Sequence, residues 1–467
     1  MLCGRLPKMP FSSLIRGSEP IAPPDYPVLA GEPVLRALDP TEWNMERLNR
    51  VSNGAGCVYQ IVRGRGPLTE ARLRTAVEAL TRRHPMVGAR IVREHDEDDA
   101  PLLYVRGGTP QVAFVDVAGL DDCYLEVVEA DMNAGPSPCW RASPFRFACL
   151  ADAQDPERWV LVLAGPHAHC DAISLSWLAH EILETIATDE VGDPLPLRSI
   201  QIDPLPEREV ETSEPASPRF VAPEADVPAE PERRNLVQTG LMQDRLSAEA
   251  TRTLVRAVKR NGLTVHAAIG AAVHIALAAR HASVAGESPY GVYRAGSPVS
   301  MRPHIAPPLA DADIRMAVDV AFTDTAVSAD EGFWSLARRF GMAVREHIDT
   351  GDILRSWNRT TKKARESGST GVPIPLISNV GLSVVRPAYG PLIVEDVAGA
   401  MATHGMFQID MLFTTFDGHL GACFYFETPT VSRTSMTRFI RHTMAILASS
   451  EVHEGDPPTA VLLDVAR

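Results

Sequence analysis

Four side chains capable of chemistry lie close together in the segment Val160–Glu184. An apolar run ends there in a short polar stretch that carries His167, His169, Cys170 and Asp171, and an amphipathic helical pattern follows it. His167 and Asp171 have the spacing His-x-x-x-Asp. A histidine titrates near neutral pH, so it can remove a proton from a hydroxyl or an amine as that group attacks a carbonyl. We therefore predict a cleft at the end of a buried strand, with His167 positioned for proton transfer and Asp171 holding the loop in shape.

Three other interpretations of the same segment stay open. A polar histidine at a strand end is often a structural residue whose hydrogen bonds are satisfied. His167, His169, Cys170 and Asp171 are also metal-ligand types, although neighbours on a strand point to opposite faces, so that only some of them could converge. Cys170 could act as a nucleophile beside a histidine base, but no known thiol-enzyme signature surrounds it.

The motifs of several other chemistries are missing. The sequence contains no G-x-x-x-x-G-K-[ST], G-x-S-x-G, G-x-G-x-x-G or H-E-x-x-H pattern. Only four of the 45 basic residues are lysines, which leaves little scope for a Schiff base or a P-loop lysine. These absences argue against nucleoside triphosphate or dinucleotide binding, an α/β-hydrolase serine and a zincin site.

Length and composition restrict the class of protein. The 467 residues exceed the size at which a single core stops growing, so we expect two domains. A net charge of −14 opposes binding to phosphate backbones, and we expect no nucleic-acid partner. Seven scattered cysteines without a C-x-x-C pair predict a reduced, cytoplasmic protein.

Membrane insertion is not expected. The N-terminal residues hold no apolar stretch of signal-peptide length. The most apolar long segment, residues 264–280, is interrupted by His266 and His274. It predicts a buried helix rather than a membrane span.

A run rich in proline and glutamate, residues 203–234, divides the chain. It has no apolar periodicity, so it predicts a linker between two halves of comparable size, residues 27–202 and 235–467. Each half mixes helices with strands, which predicts an α/β (α+β) fold of two pseudo-symmetric lobes. The predicted helices begin at or near Thr69, Asp122, Asp171, Ser247, Thr264, Gly332 and Ser432. The predicted strands are residues 102–105, 112–115, 145–150, 159–164, 291–294, 318–322, 374–378, 407–413 and 420–426.

Several stretches follow the order of motifs in one enzyme superfamily. Pro166–Ala172 aligns with a His-His-x-x-x-Asp-Gly motif at a strand–loop–helix junction. Leu68–Val92 holds a helix that ends in Arg-His-Pro before a strand, and Ser297–Pro303 holds a strand that ends in Arg-Pro. Val265–Ala279 matches the helix that opens the second lobe, and Ile377–Leu382 contains a Ser-Asn-x-Gly segment. In these features the chain resembles the chloramphenicol acetyltransferase-like superfamily, which includes peptide-synthetase condensation domains, plant-type alcohol acyltransferases and the polyketide-associated acyltransferases of actinobacteria.

The resemblance covers nearly the whole chain and is closest to polyketide-associated and alcohol O-acyltransferases. It implies two chloramphenicol acetyltransferase-like lobes that meet along a tunnel. It also implies transfer of an acyl group from a thioester, on CoA or a phosphopantetheinyl acyl carrier protein, to a small-molecule alcohol in natural-product or lipid biosynthesis. His167 would be the general base, with no metal and no bound cofactor. Asp171 would pair with an arginine of the second lobe, for which Arg302 is the candidate, and Ser378 and Asn379 would contact substrate.

Two positions depart from the superfamily motif. Pro166 stands in place of the first histidine, which varies among members, and Ala172 stands in place of the glycine. We expect the extra methyl of Ala172 to narrow the site or shift the loop. No D-F-G-W-G segment occurs late in the chain. This absence weakens an assignment to condensation domains or plant-type enzymes specifically. Two alternatives stay open: a condensation-type catalyst that forms an amide, and a catalytically silent relative that binds carriers or partners, which Pro166 and Ala172 keep open.

An arginine cluster at Arg338, Arg339 and Arg345 could attract an acidic carrier protein. Its spacing is more typical of the solvated face of a helix.

Overall fold

The computed structural model describes residues 26–51, 54–97, 100–135, 142–197, 217–225, 236–355, 374–403 and 408–465. Within these ranges the chain forms two six-stranded sheets, one three-stranded sheet and helices packed against them. The predicted mixture of helices and strands in each half is confirmed.

The strands are β1 (Val34–Ala37), β2 (Cys57–Arg65), β3 (Ala89–Arg93), β4 (Leu102–Arg106), β5 (Gln111–Val117), β6 (Arg146–Asp152), β7 (Arg158–Pro166), β8 (Gln238–Arg245), β9 (Gly291–Ser300), β10 (Val318–Val327), β11 (Leu376–Leu382), β12 (Ala388–Tyr389), β13 (Leu392–Met401), β14 (Ile409–Phe416) and β15 (His419–Thr428). The helices are α1 (Pro40–Val51), α2 (Glu70–Arg83), α3 (Leu120–Met132), α4 (Ala172–Thr188), α5 (Ala248–Arg260), α6 (Val265–Ala285), α7 (Phe333–Asp349), α8 (Arg433–Ala448), α9 (Ser450–Glu454) and α10 (Thr459–Leu462).

Most of the predicted helix starts have a side-chain cap, whereas those near Asp122 and Gly332 have none. Thr69, Ser247, Thr264 and Ser432 each accept a hydrogen bond from the backbone N–H three residues later, at the start of α2, α5, α6 and α8. Such a cap satisfies one of the donors that a helix start leaves unpaired.

The first sheet has the strand order β12-β13-β2-β7-β6-β5. Its centre is the antiparallel pair β2 and β7, which runs from Cys57 opposite Pro166 to Arg65 opposite Arg158. The apolar run of β7 is buried because the sheet is covered on both faces, which explains why it reads as a continuous hydrophobic stretch. Helices α2 and α4 pack together on this lobe. The sheet therefore presents the end of β7, at Pro166, to the start of α4.

The edge of the first sheet comes from the second half of the chain. β13 pairs antiparallel with β2, from Ile393 opposite Arg65 to Met401 opposite Val58. Residues 388–401 of the second half thus cross back into the first sheet. The division at residues 203–234 stays a prediction.

Part of the predicted linker lies within the described residues, as residues 217–225. There the Arg219 N–H donates to the carbonyl of Val292, and Val221 is buried in the second-lobe core. Glu224 forms an ion pair with Arg280. This part packs against the second lobe, and the remainder of the predicted linker lies outside the described residues.

The second sheet has the order β10-β9-β11-β14-β15-β8, with α6, α7 and α8 packed against it. Helix α6 is the one described helix that is long and apolar enough to cross a membrane, yet 72% of its most apolar stretch is buried inside the protein. A Cβ atom at Gly270 would lie 2.0 Å from Cε1 of Phe340, so the glycine allows α7 to approach α6 closely. The prediction of a buried core helix is confirmed.

The two lobes meet through alternate residues of β14 and β15. Leu412, Phe416 and Tyr425 pack into the apolar core of the first lobe, whereas Phe413 and Phe424 face the helices of the second. This face of the second sheet is therefore an interface between lobes.

Candidate active site

The loop between β7 and α4 holds the residues singled out in the sequence. β7 ends at Pro166, α4 begins at Ala172, and Asp171 occupies the cap position between them. An Asp171 oxygen accepts the backbone N–H of Ser174 at 2.8 Å. A carboxylate is favoured there because a helix start presents unpaired N–H donors and a partial positive charge.

His167 is held by its backbone and by one ring nitrogen. Its N–H donates to the carbonyl of Gly56 at 2.7 Å, and its Nδ1 lies 2.9 Å from the carbonyl oxygen of Cys170. Because a carbonyl can only accept, Nδ1 carries the hydrogen and Nε2 carries the free lone pair. No described residue makes a hydrogen bond to Nε2, and the side chain is partly exposed. The geometry therefore leaves Nε2 able to take a proton.

The electrostatic environment keeps His167 neutral. Burial lowers its pKa below the usual value, although the nearby Asp171 charge and the Cys170 carbonyl oppose that shift. A histidine with this pKa is unprotonated at pH 7, which is the form that a general base requires.

Asp171 is directed at the second lobe. Nη2 of Arg302 lies 2.9 Å and 3.0 Å from its two carboxylate oxygens, and the backbone N–H of Ala317 donates to it at 3.1 Å. Burial alone would raise the pKa of Asp171, but the Arg302 charge and the hydrogen bonds from Ser174 outweigh it and hold that pKa below its usual range. Asp171 is therefore an ionised structural anchor whose hydrogen-bonding positions are occupied.

Arg302 is itself fixed by main-chain carbonyls. Its Nη1 donates to the carbonyl oxygens of Ala310 and Asp313, both at 2.9 Å. The guanidinium is buried, so these bonds replace the water that it would otherwise bind. The structure thus brings Arg302, Asp171 and the His167 loop together.

Ser174 is a contact residue that the sequence did not identify. Its buried Oγ lies 2.8 Å from Asp171 Oδ1, 2.9 Å from Arg302 Nη2, and 3.2 Å and 3.0 Å from the backbone N and O of Arg315. A serine in the first turn of a helix is common, so its sequence position gives no sign that it joins both lobes.

A buried charge cluster lies next to this contact. Nη2 of Arg315 lies 3.0 Å from Asp39 and 3.6 Å from Glu42, and Arg36 binds both oxygens of Glu42 at 2.5 Å and 2.6 Å. Burial raises the pKa of Asp39 to about 6. None of these residues was predicted, since Arg315 lies 276 residues from Asp39 in the sequence.

The other two titratable residues of the loop do not join the site. His169 is fully buried, with its ring edge-on to Tyr104 at 4.8 Å between centroids, and burial lowers its pKa to about 3. Burial raises the pKa of the Cys170 thiol, which disfavours the thiolate that a nucleophile needs. Among the described residues no three potential ligands are grouped as a metal site. The metal and thiol interpretations therefore gain no support.

Ser378 and Asn379 lie on β11, beside β14. Ser378 is opposite Leu412 and so shares the face that meets the first lobe, whereas Asn379 is opposite Phe413. The side-chain oxygen of Asn379 accepts the N–H of Gly381 at 3.0 Å. Neither residue has a hydrogen bond to His167 within the described part of the chain, and their contact with substrate stays a prediction.

The two motif departures occupy the ends of the loop. Pro166 is the last residue of β7, and its carbonyl accepts the N–H of His169 at 2.8 Å. Ala172 is the first residue of α4 and packs partly buried against the first-lobe core. The effect of its methyl on the width of the site stays a prediction.

Comparison with known proteins gives one match by sequence family and several by fold. Residues 237–421 match the family model for the phthiocerol/phthiodiolone dimycocerosyl transferase C-terminus. No curated protein matches the chain. Among solved structures, the first condensation domain of the calcium-dependent antibiotic synthetase is 16% identical, covers 92% of this chain and 98% of its own, and has a TM-score of 0.65.

Two further solved structures align over a similar extent. Trichothecene 15-O-acetyltransferase from Fusarium sporotrichioides is 13% identical, with 92% of this chain and 99% of that chain covered and a TM-score of 0.67. Polyketide synthase associated protein 5 from Mycobacterium tuberculosis is 16% identical, with 89% and 99% covered and a TM-score of 0.60.

The chain has the fold of the chloramphenicol acetyltransferase-like superfamily. The resemblance predicted from the sequence is confirmed at this level. In this superfamily fold the two lobes are pseudo-symmetric, as predicted. Since such a fold supports several reactions, the chemistry has to be argued from the site.

An open cleft of about 280 Å³ lies between the two lobes of this protein. Its lining includes the apolar residues Val397, Ala398 and Leu412 of β13 and β14 and the charged residues Arg63 and Arg245. The same β13 continues to Met401, close to the strand end that carries His167.

Proposed function

We propose that this protein is an acyltransferase that moves an acyl group from a thioester to an acceptor hydroxyl, with His167 as the general base. The observation that carries the proposal is the 2.9 Å contact from His167 Nδ1 to the Cys170 carbonyl, because it leaves Nε2 unprotonated and available. The family match over residues 237–421 and the structural likeness to a 15-O-acetyltransferase support acyl transfer as the reaction class.

The reaction needs one proton relay. Nε2 of His167 takes the proton of the acceptor hydroxyl as its oxygen forms a bond to the thioester carbonyl carbon. The resulting tetrahedral intermediate collapses with cleavage of the carbon–sulfur bond, and the imidazolium returns the proton to the leaving thiolate. The remainder of the rate enhancement comes from holding the two substrates in line with the histidine.

The donor in this proposal is an acyl-CoA or an acyl carrier protein, and the acceptor is a small-molecule alcohol. The net charge of −14 disfavours docking of an acidic carrier protein unless a local basic patch offsets it. Arg339 and Arg345 of the predicted cluster already pair with Glu331 and Asp349, as solvated helix residues do. We therefore favour a CoA thioester as the first donor to test. A cytoplasmic location stays a prediction.

A second candidate is a condensation-type catalyst that joins an amine rather than an alcohol to the acyl group. The alignment with a condensation domain over 98% of that domain favours it. The same Nε2 would take the proton of the attacking amine. A third candidate, a catalytically silent binder, is disfavoured because the Asp171–Arg302 pair and the free Nε2 are both in place.

The deciding experiment measures thiol release from a panel of acyl-CoAs and acyl carrier proteins with alcohol or amine acceptors. His167→Ala is compared with the wild type and with His95→Ala, an exposed histidine outside the site. We expect acceptor-dependent release that His167→Ala abolishes and His95→Ala retains, with circular dichroism unchanged. Release that survives His167→Ala, or no release with any pair, would contradict the proposal.

A further inference from the structure

A second arginine of the second lobe, Arg315, spans the gap to α1 of the first lobe. Its side chain is 4% exposed, and its guanidinium binds Asp39 and Glu42. Asp39 also caps α1, since its Oδ1 accepts the N–H groups of Thr41 and Glu42, each at 2.9 Å. Arg36 forms a further ion pair with Glu42. The cluster thus contains two arginines and two carboxylates, and its charges balance when all four are ionised. Such a cluster fixes the position of Arg315 relative to α1, because separating the groups would leave buried charges unpaired.

The main chain of Arg315 belongs to a segment, residues 309–317, that holds the Arg302 guanidinium in place. Residues 309–317 supply the carbonyls of Ala310 and Asp313 that bind Nη1 of Arg302. They also supply the N–H of Ala317 that binds Asp171. One short segment therefore carries both the anchor to α1 and the groups that hold the Asp171–Arg302 pair.

A continuous set of short contacts leads from this anchor to the reacting nitrogen. Arg302 and Ala317 hold Asp171, which ends the loop, and the adjacent Cys170 carbonyl holds Nδ1 of His167. A displacement of residues 309–317 therefore moves the Asp171 carboxylate and, with it, the His167 ring. Misplacing a catalytic group by about 1 Å can cost roughly 100-fold in rate.

We propose that Arg315 is a positioning residue for His167: its ion pair with Asp39 and Glu42 fixes segment 309–317, which in turn fixes Arg302 and Asp171. The expected effect on catalysis rests on the proposed function, whereas the expected loosening of the Asp171 contacts does not. Arg315 makes its contacts away from the ring of His167, so it acts through other residues.

The test uses two conservative variants, because complete removal of Arg315 leaves Asp39 without its ion-pair partner and threatens folding. Arg315→Lys keeps the charge but loses the planar donor group. Asp39→Asn keeps the Oδ1 that caps α1 and removes the charge that Arg315 binds. For each we expect kcat to fall about 10- to 100-fold while KM changes less than about threefold, since neither residue touches substrate. The double variant should be no worse than the more impaired single variant, because both changes break one contact.

The matched control is Arg294→Met. Arg294 pairs with Asp324 on the outer strands of the second sheet, at 2.7 Å and 2.6 Å, and both residues are partly exposed. This variant removes an arginine–carboxylate pair outside the proposed path, so kcat and KM should stay at wild-type values.

Amide hydrogen exchange gives a readout that needs no substrate. In Asp39→Asn and Arg315→Lys, the N–H groups of Ser174 and Ala317, both bound to Asp171, should exchange at least about tenfold faster than in the wild type and in Arg294→Met. If the wild type shows no acyl transfer, the proposed function fails, but this exchange result still decides the role of Arg315. Unchanged exchange at these two amides, or unchanged kcat in an active enzyme, would overturn the inference. A rise in KM matching the fall in kcat/KM would overturn it as well.

Discussion

The hydroxyl of Tyr104 donates a 2.6 Å hydrogen bond to the carbonyl oxygen of Ala168, in the middle of the loop between β7 and α4. Tyr104 is fully buried on β4, the central strand of the three-stranded sheet. His167 therefore sits in a loop that is held by Tyr104 from one sheet and by Arg302 from the second lobe.

Tyr104→Phe tests that support. The change keeps the ring and leaves the Ala168 carbonyl without its buried donor, so the free energy of unfolding should fall by about 1–3 kcal/mol. Urea unfolding at pH 7 measures it. Tyr290→Phe, at a partly exposed tyrosine, is the control and should stay within about 0.5 kcal/mol of the wild type. An equal loss in both variants would show that the Ala168 bond contributes nothing specific.

The pH dependence of transfer should reflect His167. The base works only when unprotonated, so kcat/KM is full above its pKa and falls as the pH drops through it. Because burial lowers the pKa of His167, the midpoint of this acid limb should lie below about 6.5. A pH–rate profile between pH 4.5 and 8 measures it. A midpoint at or above the ordinary histidine value would mean that another group controls the reaction.

Asp171→Asn should destabilise the fold as well as impair activity. The substitution leaves Arg302 as a buried charge without its carboxylate, which costs about 3–5 kcal/mol of unfolding free energy. Adding Arg302→Met to the same chain removes that uncompensated charge, so the double variant should be more stable than Asp171→Asn alone. Additive losses in the double variant would argue against a direct pairing. Chemical denaturation of Asp171→Asn, Arg302→Met and the double variant provides the comparison.

His169→Phe should make the protein more resistant to acid. The folded-state pKa of His169 is about 3, whereas an unfolded histidine titrates near 6.5. As the pH falls below about 6.5, the unfolded chain gains a proton that the folded chain does not, so the wild type loses stability by up to about 1.4 kcal/mol per pH unit. The wild type should therefore lose about 2 kcal/mol more than His169→Phe between pH 7 and pH 5. Urea unfolding at the two pH values measures this difference. An equal loss of stability in the wild type and in His169→Phe would show that His169 is protonated in the folded state.

Local patterns predicted the elements around the loop well. The amphipathic run after Asp171 predicted α4. Leu175, Leu178 and Ile182, which have helical spacing, lie on its buried face. The start of α6 at Thr264 was equally predictable, because the cap residue and the apolar run are adjacent in sequence. Such features depend on neighbouring residues alone.

The strands that complete the first sheet were not predicted. β2 is the partner of β7, but its mixed sequence Cys57–Arg65 shows no clean alternation because it is enclosed on both faces. β13 was missed for a different reason: its place beside β2 is set by packing across the whole molecule. The interlobe contacts of Ser174 and Arg315 share this cause. A serine or an arginine acquires such a role only when distant segments meet.

The crossing of β13 into the first sheet has a consequence for biosynthesis. Val58 is translated well before its partner Met401, since the two residues lie more than 300 positions apart in the sequence. At about 5–20 residues per second, β2 waits roughly 20 to 70 seconds with one hydrogen-bonding edge unpaired. An unpaired edge of this kind recruits other chains and promotes aggregation. The nascent protein therefore depends on protection of that edge until β13 has been made, and its first lobe is complete only after much of the second has been translated.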